Sequence, residues 1–161
     1  MVKRGLLGQK SAGGGSTITQ QLAKQLYSER ASSTMERLFQ KPIEWMIALR
    51  LERYYTKEEI ITMYLNYFDF LHNAVGIKTA SRTYFSKEPS ELDIEECAVL
   101  VGMCKNPSYY NPVRVPERAR ERRNVVLGQM VRSGYLTENE ADSLMQLPLE
   151  LNFRRVDHRS G

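Results

Sequence analysis

The stretch from Gly13 to Gln21 combines residue types that bind an anion at the start of a helix. Glycines come first, then hydroxyl and amide side chains: Gly13, Gly14, Gly15, Ser16, Thr17, Thr19, Gln20 and Gln21. Backbone N–H groups and the helix dipole favour negative charge there, and Lys24 adds a cation one turn further on. The pattern predicts a phosphate or pyrophosphate site. A simple glycine turn capped by Thr17 is the alternative interpretation.

Lys41 and Glu44 form a second candidate site, since residues three apart in a helix share one face. A carboxylate beside a cation can serve as an acid, a base or a ligand of a divalent cation. Spacing alone favours an ordinary surface ion pair. With Lys24 and Lys41, the upstream Arg30 and Arg37 would form a cationic wall.

A third basic cluster lies in the last third of the chain: Arg114, Arg118, Arg120, Arg122 and Arg123. Glu117 and Glu121 alternate with it at spacings that suit helix-surface pairs, so we predict a solvated face. The run has no helix-turn-helix pattern and no aromatic stacking motif, which argues against nucleic-acid binding.

Composition limits the protein class. A length of 161 residues, 42% hydrophobic content and a net charge of +4 suit one globular domain with a mildly basic surface. No run of about eighteen apolar residues is present, so no transmembrane helix is predicted. Cys97 and Cys104 fall in one predicted helix, roughly 10 Å apart, so we expect unlinked and buried thiols. With His72 and His158 elsewhere, no metal-ligand spacing arises.

Helix signals recur along the chain. Capping-box pairs predict four helix starts: Thr17 with Gln20, Thr56 with Glu59, Asp93 with Glu96, and Thr137 with Glu140. The predicted helices end near Tyr27, near Asn66, before Asn106 and before Pro148. Others cover Gly76 to Phe85 and Pro116 to Ser133. After a connection at 30–35, another helix runs to about Arg53, with its apolar face predicted at Ile43, Met46, Ile47, Leu51 and Tyr54. An all-α domain follows.

Several blocks resemble, in order, the motifs of family 51 glycosyltransferases, which occur in class A penicillin-binding proteins and monofunctional transglycosylases. Gly14 to Gln21 with Lys24 resembles the second motif. Lys41 and Glu44 resemble the third, with Gln40 in place of an arginine. Later blocks match at Lys57, Glu59, Ile60, Tyr64, Leu65 and Asn66; at Gly76, Ile77, Ala80, Ser81, Tyr84 and Phe85; at Glu96, Ala98, Leu100, Gly102 and Pro107; and at Arg122, Arg123, Asn124 and Leu127.

The resemblance implies a lysozyme-like helical domain with a smaller membrane-facing jaw. This domain would polymerise lipid II on the outer, periplasmic face of the bacterial cytoplasmic membrane. Glu44 would be a catalytic carboxylate, and the phosphate-binding residues would be Ser16, Thr17, Gln20, Gln21, Lys24, Arg37 and Lys41. The implied partners are lipid II, the growing glycan strand and the membrane surface, together with a fused transpeptidase domain in the parent protein, but no nucleic acid. No resident metal is expected; a divalent cation such as Mg²⁺ is the one cofactor that the site allows.

The sequence also departs from the family pattern. The first family motif, which supplies the glutamate that deprotonates the acceptor hydroxyl, has no counterpart. We therefore expect residues 1–12 to be the remnant of an upstream segment and 13–161 a partial domain, anchored by a segment outside this chain. Gln25 replaces a usual asparagine, and Phe68 to Asn73 lacks the usual Phe-Gly-Asn-Gly, so His72 receives no role.

Two alternatives to a polymerase remain open. A non-catalytic helical remnant would bind lipid II or phospholipid without turnover. A peptidoglycan-cleaving relative would place one acidic glutamate in an apolar pocket, an environment that the cations near Glu44 disfavour.

Overall fold

The computed structural model describes residues 18–27 and 34–155, with side chains except at 27 and 34–39. Seven α-helices occur in these ranges: α1 Ile18–Tyr27, α2 Thr34–Tyr54, α3 Lys57–Tyr67, α4 Ile77–Phe85, α5 Ile94–Met103, α6 Pro116–Arg132 and α7 Glu138–Gln146. A 3₁₀ turn covers Pro89–Glu91. Among the described residues, β-type pairing is limited to one antiparallel bridge between Asp69 and Val75. The predicted all-α class is confirmed.

Capping explains why the helices begin where they do. The amide of Glu59 donates to Thr56 Oγ1 at 3.2 Å, and the amide of Thr56 donates to Glu59 Oε2 at 2.7 Å. The boxes at Asp93 and Thr137 are formed as well. Each box satisfies backbone N–H groups that a helix start leaves without partners. Thr17, the fourth predicted cap, lies outside the described residues.

The chain divides into two compact units, residues 1–64 and 65–161. In the first unit α1 packs on α2, and Leu22, Ala23, Ala48 and Leu51 are buried there. No helix among the residues that the structure describes is long and apolar enough to cross a membrane.

The buried face of α2 differs from the predicted one. Ile43, Met46 and Tyr54 are exposed, whereas Glu44 and Ala48 are buried together with Leu51. Positions 44, 48 and 51 follow one another at helical spacing and form a single stripe. The prediction is confirmed for Leu51 and wrong for Ile43, Met46 and Tyr54, because beside Leu51 the helix buries a small residue and a carboxylate instead of these larger apolar side chains.

Pro42 lies inside α2. A proline has no N–H, so the carbonyl of Leu38, four residues earlier, loses its helical hydrogen-bond donor. The hydrogen-bond ladder of α2 is therefore interrupted between Leu38 and Pro42, beside the predicted Lys41 and Glu44 site.

The second unit is built around α5, α6 and α7. Its core contains Ala98 of α5, Val126 and Leu127 of α6, Leu136, and Ala141 of α7. Methionine and aliphatic side chains of α6 and α7 pack around this cluster. Burial of these side chains supplies the main stabilisation of the unit.

The arginine run is not one solvated face, and the prediction is wrong for Arg123. Arg123 is 1% exposed and donates to the carbonyl oxygens of Met145 at 3.1 Å and Leu147 at 2.9 Å. These carbonyls belong to the end of α7, where a helix leaves acceptors unpaired. Burial, followed by the neighbouring Arg120, lowers the pKa of Arg123. Arg118 is exposed, as predicted, and lies 4.4 Å from the ring centroid of Tyr109.

The two cysteines are free thiols, which confirms the predicted lack of a disulfide. The predicted burial is wrong for Cys97, which is exposed, while Cys104 is half-buried. The helix α5 buries the face that carries Ala98, Val99 and Leu100, so Cys97 remains on its open side.

Candidate functional site

The carboxylate of Glu44 is buried in the first unit, in the stripe of α2 that also contains Ala48 and Leu51. Residues of this type are rarely buried without a partner, because an ion loses its hydration in an apolar environment. Its burial makes Glu44 a candidate functional residue of the first unit.

Lys41 is the cation nearest to this carboxylate in the ion pairs of the described residues. Its Nζ lies 3.6 Å from Glu44 Oε2, and the two side chains are 71% and 8% exposed. Spacing alone favoured a surface ion pair. This prediction is confirmed for Lys41, which is exposed, and wrong for Glu44, which is buried. The ammonium group faces solvent, where an incoming anion can reach it, and the carboxylate lies in the wall behind it.

A pocket of about 490 Å³ opens at this pair. It is lined by Gln20 from the first turn of α1 and by Lys41, Pro42, Glu44 and Trp45 from α2. Its volume lies within the range of about 300–1,000 Å³ that is typical of small-molecule sites. The structure thus brings together three of the predicted site residues, Gln20, Lys41 and Glu44.

Gln21 and Lys24 lie near this pocket in sequence but do not line it. The carbonyl oxygen of the Gln21 side chain accepts a hydrogen bond from the hydroxyl of Tyr64, at 3.0 Å. Lys24 is exposed on α1, one turn after Gln20. Three other predicted residues cannot be placed: Ser16 and Thr17 lie outside the described residues, and so does the side chain of Arg37.

Two lining residues, Pro42 and Trp45, were not predicted as site residues. Sequence spacing could not reveal them, since positions one or two apart from Glu44 point to other sides of a helix. The sequence evidence for these two residues was only that they lie next to predicted site residues, in the run from Gln40 to Trp45. They contribute to a pocket surface that is mostly apolar, with polar groups from Gln20, Lys41 and Glu44 among its described lining residues.

Within the described ranges, no group of three or more His, Cys, Asp or Glu side chains could hold a metal ion. Glu44 supplies one carboxylate, and its close neighbour in the pocket is the cationic Lys41. Hard divalent cations require several oxygen ligands. The described side chains therefore do not form a divalent-cation site from protein ligands alone.

Comparison with known proteins identifies the family. The model of a family described as transglycosylase matches residues 2–131. The chain belongs to the transglycosylase family. Penicillin-binding protein 1F of Bacillus subtilis is 40% identical over 154 residues, covering 96% of this chain and 21% of that protein. A putative transglycosylase of Cupriavidus necator is 38% identical over 138 residues, covering 86% of this chain and 58% of that protein.

A solved structure supports the fold of this transglycosylase chain. Penicillin-binding protein 1A from Haemophilus influenzae matches with a TM-score of 0.56 and 26% identity, covering 86% of this chain and 17% of that chain. The predicted fold class, a helical lysozyme-like transglycosylase domain, is confirmed. The chain spans about a fifth of the length of the Bacillus subtilis relative.

Proposed function

We propose that this chain forms part of a peptidoglycan glycosyltransferase that polymerises lipid II into glycan strands. The observation that carries the proposal is the Glu44–Lys41 pair, with a buried carboxylate and a solvent-facing cation in the wall of one pocket. Family membership adds independent support.

In the proposed reaction, the 4-hydroxyl oxygen of an acceptor sugar forms a bond to the anomeric carbon of the donor, with inversion. The bond from that carbon to the lipid pyrophosphate breaks, and the pyrophosphate leaves with the electron pair. The proton of the hydroxyl goes to a general base. The family places this base in its first motif, for which this chain has no matching residue.

The residues of this chain would act on the leaving group. Charge accumulates on the pyrophosphate as it departs, so a cation directed at it lowers the barrier. Lys41 would take this role, and Lys24, Gln21 and the predicted Ser16 would extend the anion site. Glu44 would hold the Lys41 ammonium group in position and orient the leaving phosphate.

We further propose that the site works at the outer face of the cytoplasmic membrane. Ile43, Met46 and Leu49 of α2 are exposed apolar side chains that suit an interfacial location. Lipid II, the glycan strand and the membrane surface are the partners of this proposal, and a fused transpeptidase domain would belong to the parent protein.

The test is polymerisation of labelled lipid II by the full-length parent, with glycan chains resolved on gels. Glu44→Gln and Lys41→Met should each reduce the rate at least about a hundredfold with unchanged circular dichroism. The control is Glu58→Gln, an exposed carboxylate on α3 outside the pocket, which should polymerise normally. Full activity of Glu44→Gln would overturn the proposal.

A second experiment separates catalysis from binding alone. The affinity for lipid II analogues is measured in a binding assay without polymerisation. Lys24→Ala in the parent should weaken the binding of such analogues. An unchanged affinity of Lys24→Ala would place the anion site elsewhere.

A further inference from the structure

We propose that Trp45 is the surface on which a sugar ring of the donor lies inside the Glu44 pocket. This inference rests on the proposed function and names a positioning residue for the same site. Trp45 is 54% exposed, yet its side chain lines the pocket together with Gln20 and Glu44.

The chemistry of the pocket suits a carbohydrate. Carboxylate and amide side chains, here Glu44 and Gln20, accept and donate hydrogen bonds to hydroxyl groups. Trp45 and the ring of Pro42 present apolar surface in the same pocket. A sugar ring has hydroxyls around its edge and C–H bonds on its faces. The C–H bonds carry partial positive charge, and the face of an indole ring is negative.

The surface of the pocket is mostly apolar, so hydrocarbon competes with a sugar ring for it. The sugar is favoured by the carboxylate of Glu44 and the ammonium group of Lys41, because its hydroxyls can hydrogen-bond to both and hydrocarbon to neither. The exposed apolar residues Ile43, Met46 and Leu49 also lie on α2, but none of them lines the pocket. Trp45 is therefore distinguished from these neighbours by its polar pocket partners.

The sequence provides a direct probe, because Trp45 is the single tryptophan in the chain. The 161-residue protein is titrated with three probes while its tryptophan emission is recorded. The first is the soluble disaccharide of N-acetylglucosamine and N-acetylmuramic acid, which carries neither lipid nor phosphate. The second is a short prenyl phosphate, and the third is vesicles of anionic phospholipid.

The disaccharide should change the emission in a saturable manner, and Met46→Ala, a variant of the adjacent exposed side chain outside the pocket, should titrate identically. An emission change with prenyl phosphate or vesicles but none with the disaccharide would assign Trp45 to lipid and overturn the proposal. No response to any of the three probes would overturn it as well.

Steady-state kinetics of the full-length parent test the role of Trp45 separately from the proposed function. Trp45→Ala should raise KM for lipid II about tenfold with a smaller effect on kcat, and Trp45→Phe should restore most of the loss. If Glu44→Gln and Lys41→Met abolish polymerisation while Trp45→Ala leaves KM unchanged, only the role of Trp45 fails. If Glu44→Gln and Lys41→Met polymerise normally, the proposed function fails, whatever Trp45 does.

Discussion

The hydroxyl of Tyr64 on α3 donates a hydrogen bond to the side-chain carbonyl of Gln21 on α1, at 3.0 Å. Tyr64 is 4% exposed, so the bond is shielded from competing water. The hydrogen bond sets which end of the Gln21 amide faces Tyr64. The contact thus fixes the orientation of a residue in the proposed phosphate site.

Tyr64→Phe should lower the free energy of unfolding by about 1 kcal/mol, because the carbonyl of Gln21 loses its donor. Urea denaturation followed by circular dichroism measures the loss. Tyr67→Phe, which changes an exposed tyrosine at the end of the same helix, should leave stability unchanged. Equal losses in the two variants would show that the Tyr64 hydrogen bond contributes nothing.

Gly76→Ala should destabilise the second unit by at least about 2 kcal/mol. Gly76 has φ of +85°, and an added Cβ would lie 2.7 Å from the backbone oxygen of Asn66. A backbone atom cannot move aside as a side chain can. Gly134→Ala is the matched control: its φ is +80°, but no atom lies within 4 Å of the added Cβ. It should cost only the backbone strain, about 1 kcal/mol, and thermal unfolding of both variants makes the comparison.

Arg123→Met should destabilise the protein by about 3 kcal/mol, because the carbonyls of Met145 and Leu147 lose a charged donor inside the protein. Methionine retains most of the side-chain volume, so the loss reports hydrogen bonding rather than a cavity. Arg118→Met, on the exposed side of the same helix, should cost less than about 1 kcal/mol. Chemical denaturation of the two variants tests the difference, and similar losses would contradict the capping role of Arg123.

Glu140 should make stability depend on pH in the acidic range. Hydrogen bonds from the backbone and then the side chain of Thr137 hold the pKa of Glu140 below its ordinary value of 4.5. Since folding lowers this pKa, the stabilisation is present above pH 4.5 and is lost as the pH falls through the folded-state pKa. Glu140→Gln should therefore lose less stability than the wild type between pH 6 and pH 2, measured by urea unfolding. Parallel pH curves for the two proteins would refute this assignment.

The helices were predicted from residues that lie close together in the sequence. The features that were missed depend on contacts between residues far apart in the sequence. The pairs Thr56–Glu59 and Thr137–Glu140 mark helix starts because both partners lie within one turn. Arg123 looked like the other arginines of its run because the carbonyls that hold it come from the end of another helix, more than twenty residues later. The buried stripe of α2 was mispredicted because apolarity alone does not show which side of a helix faces its neighbour.

The candidate site was also predicted only in part. Lys41 and Glu44 were identified from spacing and from family resemblance, and the pocket joins them with Gln20. The burial of Glu44 was not predictable, since it depends on the packing of α1 against α2. Trp45 was missed for a related reason. The pocket lies between two helices, and the spacing of residues within one helix does not show which of them line it.

The proline inside α2 gives the two charged groups of the site unequal freedom. Glu44 follows Pro42 and is held in the buried stripe, whereas Lys41 precedes it, beside the interrupted hydrogen-bond ladder and mostly in solvent. A helix that lacks one backbone hydrogen bond can bend at that point while the rest of the helix stays fixed. In the proposed reaction, the carboxylate would therefore be the fixed group, and the ammonium group would be the one that moves with the departing anion.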